Sequence, residues 1–132
     1  MTQILKKSIP ALNIRVGHQA RELILKEGLQ AHHVDTIPGA AGGPKGIGLT
    51  GLDQAIFGDF LPQSKQRRFL IGSSVGAWRF AGIVAQGEKS GPEKLAELYT
   101  HLPFHKKMKI ADIEKISRDM LAGILENKSQ QL

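Results

Sequence analysis

The sequence predicts an α/β fold, a parallel sheet with helices on both faces, built as a single domain over residues 1–132. Two short stretches rich in β-forming residues are each followed by a glycine-rich turn, and each turn leads into apolar residues at helical spacing. Strand, turn and helix therefore alternate along the chain. Crossover connections of this kind place successive strands parallel to each other.

The first predicted elements are a helix and a short strand. Apolar residues at helical spacing over residues 17–29 predict the helix, for which Gly28 is the stop signal. Residues 33–37 contain several β-branched side chains and end at Pro38-Gly39, which predicts a short buried strand. The first glycine-rich turn follows this strand.

A second helix, strand and helix come next. Apolar residues at three- and four-residue steps predict a helix that starts near Pro44 and ends between residues 58 and 62. Proline is accepted in a first helical turn because its missing N–H has no helical partner there. Residues 68–71 predict the second buried strand, and the mostly apolar residues 77–84 predict a helix buried between layers.

The remaining elements are predicted to be helical. A short helix is expected over residues 92–99 and an amphipathic helix over residues 112–126. Because charges of both signs line its polar face, the amphipathic helix is expected to cover a core and not to anchor the chain in a membrane. The predicted domain thus has its core at about residues 33–87 and a helical C-terminal segment at residues 92–127.

Composition narrows the possible functions. The 18 Lys and Arg against 12 Asp and Glu give a net charge of +6, but the basic residues are dispersed and aromatic residues make up only 5%. A nucleic-acid partner is therefore not expected. Peripheral contact with an anionic membrane surface stays open, through Lys106, Lys107 and Lys109. The chain has no cysteine, which excludes disulfides and thiolate metal ligands and favours a cytoplasmic location.

The turn after the second strand has the pattern G-x-S-x-G, with Ser74 at its centre and Gly72 and Gly76 at its ends. In a nucleophile elbow the central serine takes a strained backbone conformation between strand and helix and exposes its hydroxyl. The flanking positions then come so close to their neighbours that only glycine fits. The helix behind Ser74 would favour a developing oxyanion. A serine that merely caps this helix is the alternative.

The turn after the first strand can supply the backbone donors that acyl transfer needs. Gly42 and Gly43 leave their N–H groups unshielded, whereas Pro44 has none to give. A serine nucleophile requires such donors to hold the oxygen of the tetrahedral intermediate. Each turn alone would suit an ordinary strand-to-helix connection. Both together favour a serine acyl-transfer site.

The two turns together resemble those of the patatin-like phospholipases, a family of bacterial and plant serine acyl hydrolases. Residues 41–46, Ala-Gly-Gly-Pro-Lys-Gly, are similar to the family's glycine-rich oxyanion loop, except that Ala41 stands in place of its first glycine. Residues 72–76 match the family's elbow. The order and the spacing of about thirty residues also agree with the family. The resemblance extends over about residues 34–86.

This resemblance implies a three-layer fold and the hydrolysis of lipid esters. Ser74 would attack the ester carbonyl while Gly42 and Gly43 hold the oxyanion. Lys45 and Gly46 would position the loop. The family's chemistry implies neither a cofactor nor a metal ion.

The second catalytic residue of the family, an aspartate in a downstream Asp-Gly motif, has no counterpart in this sequence. Beyond Ser74 the aspartates are Asp112 and Asp119, for which helix capping and solvation are the expected roles. We therefore expect an incomplete domain that lacks its C-terminal part. Two parallel strands leave edges and faces uncovered, so the chain alone is expected to be marginally folded and at best weakly active.

Two other functions are open at this stage. The chain could be a non-catalytic truncated module that binds a partner. It could also be a nucleotide-binding module, since residues 46–51 match G-x-G-x-x-G, although they fall within a predicted helix. His32 and His33 are expected on opposite sides of a strand start, without metal-ligand spacing. A Ser-His site would use His101 or His105.

Overall fold

The computed structural model describes residues 12–126 except 104 and 106, so Lys106 and residue 127 of the predicted segments lie outside the described residues. The chain divides into two compact units, with the boundary after Gln30. The first unit contains helix α1 (His18–Glu27). The predicted helix and its stop signal are confirmed, because Gly28 has φ +74° and donates its N–H to the carbonyl of Ile24.

The second unit contains a parallel pair of strands and several helices. β1 (Thr36–Gly39) and β2 (Phe69–Gly72) pair in parallel, with Gly39 opposite Gly72. Both strands therefore end at the same edge of the sheet. The described residues confirm a mixed, mostly helical fold with a two-stranded parallel sheet.

The first strand starts three residues later than the sequence predicts. Residues Ala31–His33 form a 3₁₀ turn instead. The guanidinium of Arg68 donates to the carbonyl of Ala31 at 3.0 Å and to the carbonyl of Val34 at 3.0 Å. The Arg68 side chain therefore satisfies the carbonyl of Val34, which the predicted strand would have paired with backbone. The expectation that His32 and His33 lie on opposite sides of a strand is wrong, since their ring centroids are 4.3 Å apart in this turn.

The predicted helix after the first glycine-rich turn is present but irregular. We call residues 43–63 the irregular helix; it consists of consecutive 3₁₀, α, π and 3₁₀ segments, Gly43–Leu49, Thr50–Asp53 (α2), Gln54–Phe60 and Leu61–Gln63. Glycine disfavours a regular α-helix because it loses the most backbone freedom on folding. Gly46, Gly48 and Gly51 lie within this segment. The G-x-G-x-x-G match is therefore helical, as the sequence predicts.

Three regular helices complete the second unit: α3 (Val75–Gln86), α4 (Ser90–Thr100) and α5 (Ile110–Leu125). All three helices were predicted, and each is longer in the structure than in the prediction, beginning two residues earlier. Their shared core is formed by Leu95, Met120 and Ile124, with partly buried neighbours that include Trp78 and Leu98. Within the described part of the chain, no helix is long and apolar enough to cross a membrane.

Helix α3 packs against one face of the sheet. Gly39, on the same face as Ile37, is so close to Phe80 of α3 that a Cβ there would lie 2.8 Å from its ring. The opposite face carries Phe69 and Ile71, which are 56% and 63% exposed. Among the described residues of this unit, helices thus cover only the face of the sheet that contacts α3. The prediction that both strands are buried is wrong, because the residues on the other face are exposed.

Close packing of α3 on α4 gives a testable requirement for glycine. A Cβ on Gly91 would overlap the carbonyl of Gly82 and lie 2.7 Å from the nitrogen of Ile83. We expect Gly91→Ala to lower the free energy of unfolding by about 1–3 kcal/mol, because the two helices must move apart. Gly51→Ala is the control, since nothing lies within 4 Å of its added Cβ. Equal urea midpoints for the two variants would contradict the close approach.

Candidate functional site

Ser74 connects β2 to α3 with an unusual backbone. Its φ of 53° and ψ of −126° lie in a region that residues with a Cβ rarely adopt. Ser74 is exposed, and its side chain makes no capping hydrogen bond to α3. Helix capping therefore does not explain this serine. The strained, exposed conformation is the one that a nucleophile elbow requires.

The two glycines of the elbow occupy positions where a side chain cannot fit. A Cβ on Gly72 would overlap the backbone of Ala77 and lie 2.6 Å from the carbonyl carbon of Gly76. A Cβ on Gly76 would overlap the carbonyl oxygen of Gly39 and lie 3.0 Å from that of Ala40. The steric prediction for both glycines is confirmed. The contact of Gly76 with the end of β1 also connects the elbow to the other turn.

The glycine-rich turn and the elbow lie at the same edge of the sheet. The N–H of Ser73 donates to the carbonyl of Gly39 at 2.9 Å, where the glycine-rich turn begins. Further along this turn Gly46 is buried, and a Cβ there would lie 2.5 Å from Cγ2 of Val75. Contacts at both ends of the turn thus hold it against the residues that flank Ser74.

The glycine-rich turn contains backbone N–H groups without a helical partner. Gly43 has φ +54° and begins the irregular helix, so its N–H belongs to the unpaired first turn. Gly42 is exposed and precedes it. The N–H of Lys45 donates to the carbonyl of Gly42 at 3.3 Å and so closes the turn. The side chain of Lys45 is exposed. The observed contact of Lys45 with the loop is thus a backbone hydrogen bond.

Sequence reasoning missed one donor and one neighbouring hydroxyl. Val75 is the first residue of α3, so its N–H has no partner inside the helix. Its position directly after the serine of a G-x-S-x-G motif was the available signal. Tyr99 of α4 was missed as well; its hydroxyl lies 3.8 Å from a Cβ built on Gly43. No local pattern distinguishes Tyr99 from other partly buried aromatic residues.

A buried ion pair was also missed. Asp53 is 1% exposed, and both its oxygens accept hydrogen bonds from the guanidinium of Arg79. The signal in the sequence was a pair of opposite charges, one in each of two otherwise mainly apolar helical stretches. A buried charge requires a partner, so Asp53 and Arg79 were candidates for each other.

The downstream aspartates have the structural roles that the sequence predicts. Asp112 caps α5, since the N–H of Lys109 donates to its carboxylate at 2.9 Å. Asp119 is exposed and accepts from the ammonium of Lys115 at 2.7 Å. This hydrogen bond, with the charge of Asp119, raises the pKa of Lys115 above its usual value.

The two histidines considered for a Ser-His site have local partners. Nδ1 of His101 lies 2.7 Å from the carbonyl of Glu97, one turn earlier in α4. Nδ1 of His105 accepts the N–H of Lys107 at 3.3 Å. Neither contact involves the elbow.

Comparison of the chain with known protein families, with curated proteins and with solved structures gives no match. The chemistry of the site therefore has to be inferred from its geometry. The geometry brings together Ser74 with its two glycines and the glycine-rich turn.

Proposed function

We propose that this chain carries the nucleophile and oxyanion hole of a serine acyl hydrolase that acts on lipid esters, as the resemblance to patatin-like phospholipases implies. The observation that carries the proposal is the backbone of Ser74, with φ 53° and ψ −126°. Such strain persists only where the surrounding structure enforces it, and it is concentrated at functional sites. Ser74 is exposed on this turn, so a substrate can approach it.

In the proposed reaction the Oγ of Ser74 bonds to the ester carbonyl carbon, and the carbonyl oxygen takes the negative charge. The N–H groups of Gly42, Gly43 and Val75 are assigned to that oxygen, and the N-terminus of α3 favours its charge. Collapse of the intermediate expels the alcohol, and water then releases the acid. The proton of Ser74 must pass to a base and from that base to the leaving alcohol oxygen.

We assign that base to a further part of a patatin-like domain. The open sheet face with Phe69 and Ile71 supports this assignment, because parallel sheets normally have both faces covered. A three-layer fold would cover the open sheet face.

The test is covalent labelling of the full chain with a fluorophosphonate, followed by mass spectrometry of the modified peptide. The serine oxygen bonds to phosphorus and fluoride leaves, so the probe reports an activated serine without requiring turnover. We expect slow labelling at Ser74, none in Ser74→Ala, and labelling at the original rate in the control Ser73→Ala. Folded wild-type protein that stays unlabelled would refute the proposed function.

A non-catalytic interaction module is the second candidate. The exposed side chains of Phe69 and Ile71 favour it, since apolar surface of this kind marks contacts with another chain. The absence of labelling in folded protein would support this candidate.

A further inference from the structure

The pair Asp53–Arg79 is the most deeply buried charged group among the described residues. The side chains are 2% and 12% exposed, and Nε of Arg79 donates to Oδ2 of Asp53 at 2.7 Å. A second hydrogen bond joins Nη2 to Oδ1. The planar guanidinium therefore meets the planar carboxylate through two parallel bonds, which fix both distance and orientation.

The ion pair joins the two helices that follow the two turns of the candidate site. Asp53 ends α2, in the irregular helix that follows the glycine-rich turn, and Arg79 lies in α3, which follows Ser74. The pair thus connects the helices behind the two halves of the candidate site. The guanidinium carbon of Arg79 also lies 5.8 Å from the ring centroid of Phe80, which packs against Gly39 at the start of the turn.

Stability alone does not account for a buried ion pair. Removing two charges from water costs about as much as their attraction returns, and a well-packed apolar pair is often equally stable or more so. Directional geometry is what an apolar pair cannot supply. The two hydrogen bonds hold the irregular helix and α3 in one relative position.

We infer that Asp53 and Arg79 are positioning residues, which set the separation between the glycine-turn N–H groups and the hydroxyl of Ser74. This inference rests on the proposed function. Both oxygens of Asp53 are engaged by Arg79, so Asp53 acts through the position of the helix and not as the base. Acyl transfer is sensitive to such positions, since a displacement of about 1 Å can slow a reaction roughly 100-fold.

The test compares the full wild-type chain with Asp53→Leu/Arg79→Met, in which an apolar pair replaces the ion pair and avoids an unpaired buried charge. We expect an unfolding midpoint close to wild type. The maximal rate of fluorophosphonate labelling is expected to fall between about tenfold and 100-fold, with the half-saturating probe concentration little changed. Each single variant, Asp53→Asn or Arg79→Met, should lose both stability and labelling, because it leaves a buried group without its partner.

A matched control removes an exposed ion pair instead. Lys115→Gln/Asp119→Asn acts on α5 and should leave the labelling rate unchanged, because exposed pairs contribute little. If the apolar double variant labels Ser74 at the wild-type rate, the pair is merely structural and the inference is overturned.

Hydrogen exchange separates this inference from the proposed function. In the apolar double variant we expect faster amide exchange in residues 39–46 and 72–76, with exchange in α5 unchanged. Unlabelled wild-type protein together with this exchange pattern would refute the hydrolase and retain the positioning role. Unchanged exchange in both segments would overturn the positioning role whether or not Ser74 is labelled.

Discussion

Replacing Ser74 by glycine is expected to abolish fluorophosphonate labelling and at the same time to stabilise the fold. The backbone of Ser74, at φ 53° and ψ −126°, costs about 1–3 kcal/mol for a residue with a Cβ. Glycine adopts positive φ freely, although its extra freedom in the unfolded chain offsets up to about 1 kcal/mol. The free energy of unfolding should therefore rise, by up to about 2 kcal/mol.

Ser74→Ala is the matched control, because it removes the hydroxyl without relieving the backbone strain. Alanine also removes the hydroxyl, so labelling should be lost equally, but its Cβ keeps the backbone strain. Urea unfolding should accordingly rank the glycine variant above both the alanine variant and the wild type. A glycine variant less stable than the alanine variant would show that the turn is not strained, and the main support for an elbow would be lost.

Most helices and the elbow of the second unit could be predicted because short stretches of sequence encode them. The elbow was found from Gly72, Ser74 and Gly76, whose spacing reflects steric conditions within one turn. The helices were found because apolar side chains recur on the faces that α3, α4 and α5 bury. Such features are encoded within a dozen residues.

The features that were missed depend on residues far apart in the sequence. The first strand is displaced because Arg68, more than thirty residues later, hydrogen-bonds to the carbonyls of Ala31 and Val34. The pair Asp53–Arg79 joins residues 26 positions apart. Periodicity carries no information on which helix faces which, so these contacts required the tertiary structure.

The prediction of helices on both sheet faces depended on the fold class and not on any residue of the chain. A doubly covered parallel sheet would bury Phe69 and Ile71, and their burial was implied by their β-forming character. In the described part of the second unit both side chains are exposed. The coarse α/β assignment holds, and the three-layer architecture stays a prediction.

Gly76→Ala is expected to have the largest effect on stability, about 3 kcal/mol or more of lost unfolding free energy. The added Cβ would overlap the carbonyl oxygen of Gly39, a backbone atom at the end of β1 that cannot turn aside like a flexible side chain. That carbonyl also accepts the N–H of Ser73 at 2.9 Å. Relief of the overlap would therefore break the hydrogen bond that holds the two turns together.

Gly48→Ala provides the matched comparison, because nothing lies within 4 Å of its added Cβ. It should be neutral or stabilise the irregular helix by up to about 1 kcal/mol, as alanine is the better helix former. Urea unfolding and Ser74 labelling should be measured on both variants. A loss in Gly76→Ala alone would show that the steric overlap, and not alanine in place of glycine as such, causes the effect. If Gly76→Ala kept wild-type stability and labelling, the elbow would not be in contact with β1, and the glycine turn would have no fixed position relative to Ser74.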